Sequence, residues 1–150
     1  MDNKEIIAAA KQDLSLLVSY RNEIKNLRDR ASEYRAMSSS LQQSLSVSRS
    51  ASHRAGNAKI ERALDLLDQI PNDIESIATK YQQRISAVLN TLKAMENHTY
   101  RQMLEYRYIS RYSLQKIALT LQYSEDWIKH SFKQAYLSYW ETKERIEQVQ

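Results

Sequence analysis

Cysteine is absent from the 150-residue chain, and glycine, proline and phenylalanine occur once each. The lack of cysteine removes any disulfide frame, any thiolate nucleophile and any cysteine-ligated zinc. A single glycine cannot supply a Gly-rich phosphate loop. Long apolar runs are missing too: none approaches the roughly 18 residues of a membrane span, and no basic start leads into an apolar stretch, so neither a membrane segment nor a secretion signal is expected. Cytoplasmic residence is the reading that fits. His53, His98 and His130 stand far apart without metal-ligand spacing, and no metal or other cofactor is implied. The carboxylates lie among lysines and arginines, where pairing across helix turns accounts for them without acid–base chemistry. The chain does not read as an enzyme.

What remains is rich in Ala, Leu, Ser, Gln, Glu, Lys and Arg, and the expected fold class is all-α. A hydrophobic share of 42% suits a modest core. Basic side chains number 22 against 18 acidic ones, a net charge of +4. That bias helps approach to a polyanion but names no partner.

Apolar or small residues at Leu17, Tyr20, Ile24, Leu27, Ala31 and Tyr34 alternate three and four apart, the spacing of a coiled-coil seam. Extended backward, the stripe reaches Ala10 and Ile6 with Asp13 as a polar interruption, and a first helix is expected over roughly residues 3 to 37. A second stripe, Ala63, Leu67, Ile70, Ile74, Ile77 and Tyr81, repeats the spacing and drifts to Ile85, Val88, Leu92 and Met95. Pro71 falls inside it, so a kink or restart is expected near Gln69 to Asn72. The seam at Leu17, Tyr20, Ile24 and Leu27 must be covered, either in a homodimer or in a hairpin with the second stripe.

Between the stripes, "SSSLQQSLSVSRSASHRAGNA" holds the one glycine and little periodicity, which reads as a connector near residues 38–58. Arg49, His53 and Arg54 make it either a phosphate-touching arm or a solvated loop. The expected organisation is therefore residues 1–95 as a coiled-coil or hairpin region, and residues 96–150 as a separate module.

That module reads as three helices: "NHTYRQMLEYRYI", a second from Ser113 to about Leu121, and a third from about Glu125 to Arg145. Ser113 and Ser124 are placed as N-caps, and Glu125 with Asp126 complement the dipole of the third helix. Leu104, Tyr108 and Ile109, then Leu114, Ile117, Ala118 and Leu121, then Ile128, Phe132, Ala135 and Tyr136 each form one apolar face. Small Ala118 suits the close crossing of a helix-turn-helix.

The run "YRQMLEYRYISRYSLQKIALTLQYSEDWIKHSFKQAY" resembles region 4 of sigma factors. With the preceding "VSRSASHRAGNAKIERALDLLDQIPNDIESI" and the coiled N-terminal helix, the chain is similar to phage-encoded sigma-like regulators of late transcription, the RinA and ArpU type. The resemblance implies a regulator of phage genes in a bacterial host cell. Its partners would be double-stranded DNA and RNA polymerase; the dimer is the expectation of the coiled-coil seam. The DNA-facing residues it implies are Glu125, Asp126, Trp127, Lys129, His130 and Lys133, on the face opposite Ile128, Phe132 and Ala135. Lysines suit phosphates or guanine acceptors, a carboxylate suits a cytosine amino group, and Trp127 suits a sugar or a thymine methyl. The sequence departs from the pattern at the turn, where Gln122 stands in place of the common Gly, and in the paired acids Glu125 and Asp126. The alternative is a protein-interaction module with a sigma-like fold and little DNA contact; Trp127, Tyr139 and Trp140 would suit it.

Overall fold

The structure, a computed structural model, describes the backbone of residues 1–47 and 53–150 and the side chains of residues 1–43 and 57–150. Among the described residues every regular element is helical: α1 (Asn3–Val47), α2 (His53–Ala94), α3 (His98–Leu104) continued by a π-helical segment (Glu105–Ile109), α4 (Leu114–Leu121) and α5 (Glu125–Val149). The all-α class expected from composition is what the chain adopts.

Two compact units are present, one made of residues 1–19 and 81–150, the other of residues 20–80. This differs from a division at residues 95/96, and the reason lies in where apolar side chains are buried. Ala10, Leu14 and Leu17 at the start of α1, and Val88, Leu92 and Met95 at the end of α2, belong to one buried cluster with Met103, Leu104, Ile117, Ile128, Phe132, Ala135 and Tyr139. The tri-helical module shares its core with the ends of the two long helices, which complete it.

Within this first unit the expected apolar faces hold. Leu104, Tyr108, Ile117, Ala118, Ile128, Phe132, Ala135 and Tyr136 are buried, while Ile109, Leu114 and Leu121 pack against the cluster half-buried. Asp13, read as an interruption of a stripe, is buried and anchors a polar knot: Tyr139 Oη donates to Asp13 Oδ2 at 2.7 Å, Arg84 Nη1 pairs with Oδ1, and Lys143 Nζ lies 3.3 Å from Oδ2. A charge at that depth is tolerated because donors surround it.

The second unit is an antiparallel helix pair. Leu27 and Ile77 line one hollow, and Ala31 and Ile70 line another, so numbers rise along one helix as they fall along the other. Ala31, Ile60, Ala63 and Ile70 are buried, and Tyr20, Ile24 and Leu27 are half-buried, whereas Leu17 belongs to the first unit. The hairpin is thus the cover the structure gives this part of the seam.

Three boundaries differ from those read in the sequence. The first helix runs to Val47 rather than to about residue 37, and α2 begins at His53, so the described part of the 38–58 connector is helical. Gly56 costs such a helix only about 1 kcal/mol relative to Ala, which a long helix absorbs. Pro71 causes no restart: α2 runs through it. Proline forfeits one backbone donor, and the burial of Ile70 with half-burial of Ile74 and Ile77 holds the helix across the gap. Arg49 lies outside the described residues, as do the side chains of His53 and Arg54.

Candidate nucleic-acid interface

The candidate interface is built on α4, a three-residue turn and α5. Ser113 caps α4, its Oγ accepting from Lys116 N at 3.2 Å. Ser124 caps α5, its Oγ accepting from Trp127 N at 3.1 Å. Both hydroxyls satisfy donors that the first turn of a helix leaves free, which is why the sequence starts helices at these points. The turn between them is closed by the Ala118 carbonyl, which accepts from the N–H groups of Gln122 and Tyr123. Gln122 occupies the left-handed region at φ 63°, ψ 39°. Glycine takes that conformation without cost, and a residue with a Cβ does not.

Glu125, Asp126, Trp127, Lys129, His130 and Lys133 are all exposed on the first three turns of α5, between the buried Ile128, Phe132 and Ala135; Asp126, His130 and Lys133 point away from that buried side, and Glu125 and Lys129 flank it. Lys129 and Lys133 stand one helical turn apart, and among the described residues neither enters a salt bridge. Lys116 and Lys143, by contrast, are engaged: Lys116 Nζ sits 4.0 Å above the Tyr112 ring, and Lys143 holds Asp13. His130 Nδ1 is 2.7 Å from the Asp126 carbonyl. Since a carbonyl only accepts, Nδ1 carries the proton, and Nε2 is an acceptor in the neutral ring and a second donor when protonated. Glu125 and Asp126 sit in the first turn, where free backbone donors and the helix dipole offset their charge.

Sequence reasoning missed the aromatic arrangement beside this face. Trp127 stacks on Tyr123 with centroids 4.0 Å apart and planes 16° from parallel. Both rings remain partly exposed, as does Leu119, at 74%. The four-residue spacing of Tyr123 and Trp127 was the available signal, but the turn between them hides it from a helical-face argument. Of the seam residues, Tyr20, Ile24 and Leu27 belong to the second unit and Leu17 to the core of the first.

Chemically, the α5 face offers two ammonium donors, one imidazole and two carboxylate acceptors around a flat aromatic pair. It holds no nucleophile–base couple. No protein-family model, no curated protein and no solved structure matches the chain.

Proposed function

We propose that the protein is a DNA-binding transcription regulator of the phage sigma-like type, reading double-stranded DNA through α4 and α5. The observation that carries this is the exposed row Lys129, His130 and Lys133 on the first turns of a helix whose opposite face is buried, directly after a short capped turn. In a helix-turn-helix, the second helix enters the major groove with its N-terminal residues toward base edges, while lysines meet phosphates. Trp127 stacked on Tyr123 would present an apolar surface to sugar or to a thymine methyl, and Glu125 or Asp126 an acceptor to cytosine.

RNA polymerase is the protein partner this reading carries with it, in a bacterial cytoplasm. Assembly as a dimer would pair two modules. Selection of bound fragments from the genome that carries the gene, followed by footprinting, tests the proposal. A dimer protects two half-sites about 10 base pairs apart or a multiple of that, and a single sigma-like unit protects one asymmetric element. Failure to enrich any fragment rejects DNA reading.

A second reading has its own observation. Exposed Leu119 and the partly exposed Tyr123–Trp127 stack gather large apolar groups where water meets them, as residues at the centre of protein interfaces do. In that case the same surface docks a protein such as RNA polymerase and DNA contact is minor. Substituting Leu119→Ser separates the two: it weakens protein docking and spares duplex binding.

A further inference from the structure

Between the start of α1 and the segment after α3 lies a cavity of about 400 Å³, within the span of small-molecule pockets, roughly 300 to 1,000 Å³. Ser15, Ser19, Arg107, Tyr108, Arg111 and Tyr112 contribute to its wall, and among the described residues lining it there is no carboxylate. Two arginines and two serines, all exposed, line one hollow, the Ser15 hydroxyl bonded to Tyr108, and they make its lining donor-rich and positively charged. The charge is felt locally: Arg107 draws the Tyr108 and Tyr136 phenols downward in pKa, against the stronger upward push of burial.

The backbone that carries the two arginines is unusual. Glu105–Ile109 winds as a π-helix, with Ser110 N–H reaching the Glu105 carbonyl at 3.0 Å. Arg111 follows in the left-handed region at φ 62°, a conformation that costs a side chain with a Cβ and persists only where the surroundings impose it. Tyr112 is then held from three sides. Its N–H donates to the Tyr106 carbonyl at 2.8 Å, its ring stacks on Tyr106 at 5.0 Å and 3°, and its carbonyl accepts from Arg107 Nη1 at 3.2 Å. π-helical turns and left-handed residues recur at functional sites. Here they fix Arg107 while its guanidinium retains further N–H donors.

We propose that this cavity binds a phosphate group, with Arg107 and Arg111 as its charged donors and Ser19 as a hydroxyl donor. Guanidinium groups match phosphate oxygens two at a time, which is the recognition such a lining supports. The phosphate belongs either to a free small molecule of nucleotide size or to the backbone of a duplex. This site is separate from the α5 face and stands whether or not that face reads DNA.

The test uses the full chain at constant ionic strength, with chloride as the background anion. Inorganic phosphate, adenosine monophosphate and a short duplex are titrated separately, by calorimetry and by thermal shift. For a free phosphate compound, the first or second probe binds saturably and raises the melting temperature. Arg107→Ala and Arg111→Gly then weaken it about ten- to a hundredfold each, as removal of a charge-assisted hydrogen bond does, while the Lys129→Ala, Lys133→Ala variant leaves it unchanged. Arg111→Gly also guards against misfolding, because glycine accepts the left-handed backbone that arginine holds under strain. For a backbone phosphate, the small probes are silent and the two arginine variants each lower the salt slope of duplex binding by about one unit. Small probes without effect, together with duplex binding unchanged in both arginine variants, overturn the proposal.

Discussion

Tyr139 and Asp13, separated by 126 positions in sequence, meet in the core of the first unit, the phenol donating to Oδ2 of the carboxylate at 2.7 Å. Arg84 and Lys143 complete the charge balance, and both remain partly open to solvent at 31% and 23%. Replacing Asp13 by Ala removes the acceptor of the Tyr139 hydroxyl, which keeps only its contact with Thr91, and leaves two cations facing each other. The expected loss of stability is about 3 kcal/mol, the low end for a buried ion pair that loses one member, because the partners are partly hydrated. Chemical denaturation of the variant measures it; a change within experimental error would show that the knot does not brace the core.

A pH dependence follows from three phenols. Burial raises Tyr108, Tyr136 and Tyr139 above the ordinary tyrosine value of 10.0, and Asp13 pushes Tyr139 further by favouring its protonated form. The folded state therefore keeps these protons after the unfolded chain has released them. Their contribution is fully present below about pH 10 and is lost as pH rises beyond it, with a limiting slope of about 1.4 kcal/mol per pH unit for each phenol. Unfolding at about pH 9 and about pH 11 should show the fall, and Tyr139→Phe should flatten it. Equal slopes in both proteins would remove Tyr139 from the explanation.

A fragment of residues 96–150 should not fold by itself. It contains α3, α4 and α5 but lacks Leu14, Leu17, Val88 and Leu92, each buried to 1% exposure or less in the same cluster. Restoring residues 81–95 alone returns only half of that cover. Circular dichroism of the fragment should show reduced helicity and no cooperative melt, whereas the full chain melts cooperatively. A cooperative transition in the fragment at the temperature of the full chain would place the boundary near residue 95 after all.

Much of this architecture was legible in the sequence, and the exceptions share a cause. The apolar faces around Ile117, Phe132 and Ala135 and the caps at Ser113 and Ser124 follow from spacing within one helix, which sequence displays directly. Asp13 was not legible as an anchor, because its partners Arg84, Tyr139 and Lys143 become neighbours only after folding. Nor was the shared core: Leu14 and Leu92 fit a seam as well as they fit a globular cluster, since both environments ask only for an apolar side chain. The restart expected at Pro71 failed for the opposite reason, its local penalty being visible and the packing that outweighs it not. At the candidate interface the exposed α5 face was readable from periodicity, while the Tyr123–Trp127 stack depends on the turn at Gln122, whose left-handed backbone no residue type there announces.

That turn supplies a stabilising substitution. Gln122→Gly removes the steric cost of a left-handed residue with a Cβ, about 1 kcal/mol, part of which is returned as backbone entropy of the unfolded chain. Differential scanning calorimetry should record a higher melting temperature with no loss of helicity. A lower melting temperature would mean that the Gln122 side chain contributes more to the turn than its backbone costs.

The central claim is that the α5 face meets DNA. Titration of the wild-type protein and the Lys129→Ala, Lys133→Ala variant with fragments of the parent genome, at several salt concentrations, tests it most directly. If both lysines touch phosphates, the variant binds all sequences more weakly and its salt slope falls by about two units, one for each lysine removed. If one of them reads guanine, the loss is about 1 to 3 kcal/mol at a single base position. Equal affinity and equal salt slope for the two proteins would contradict the account.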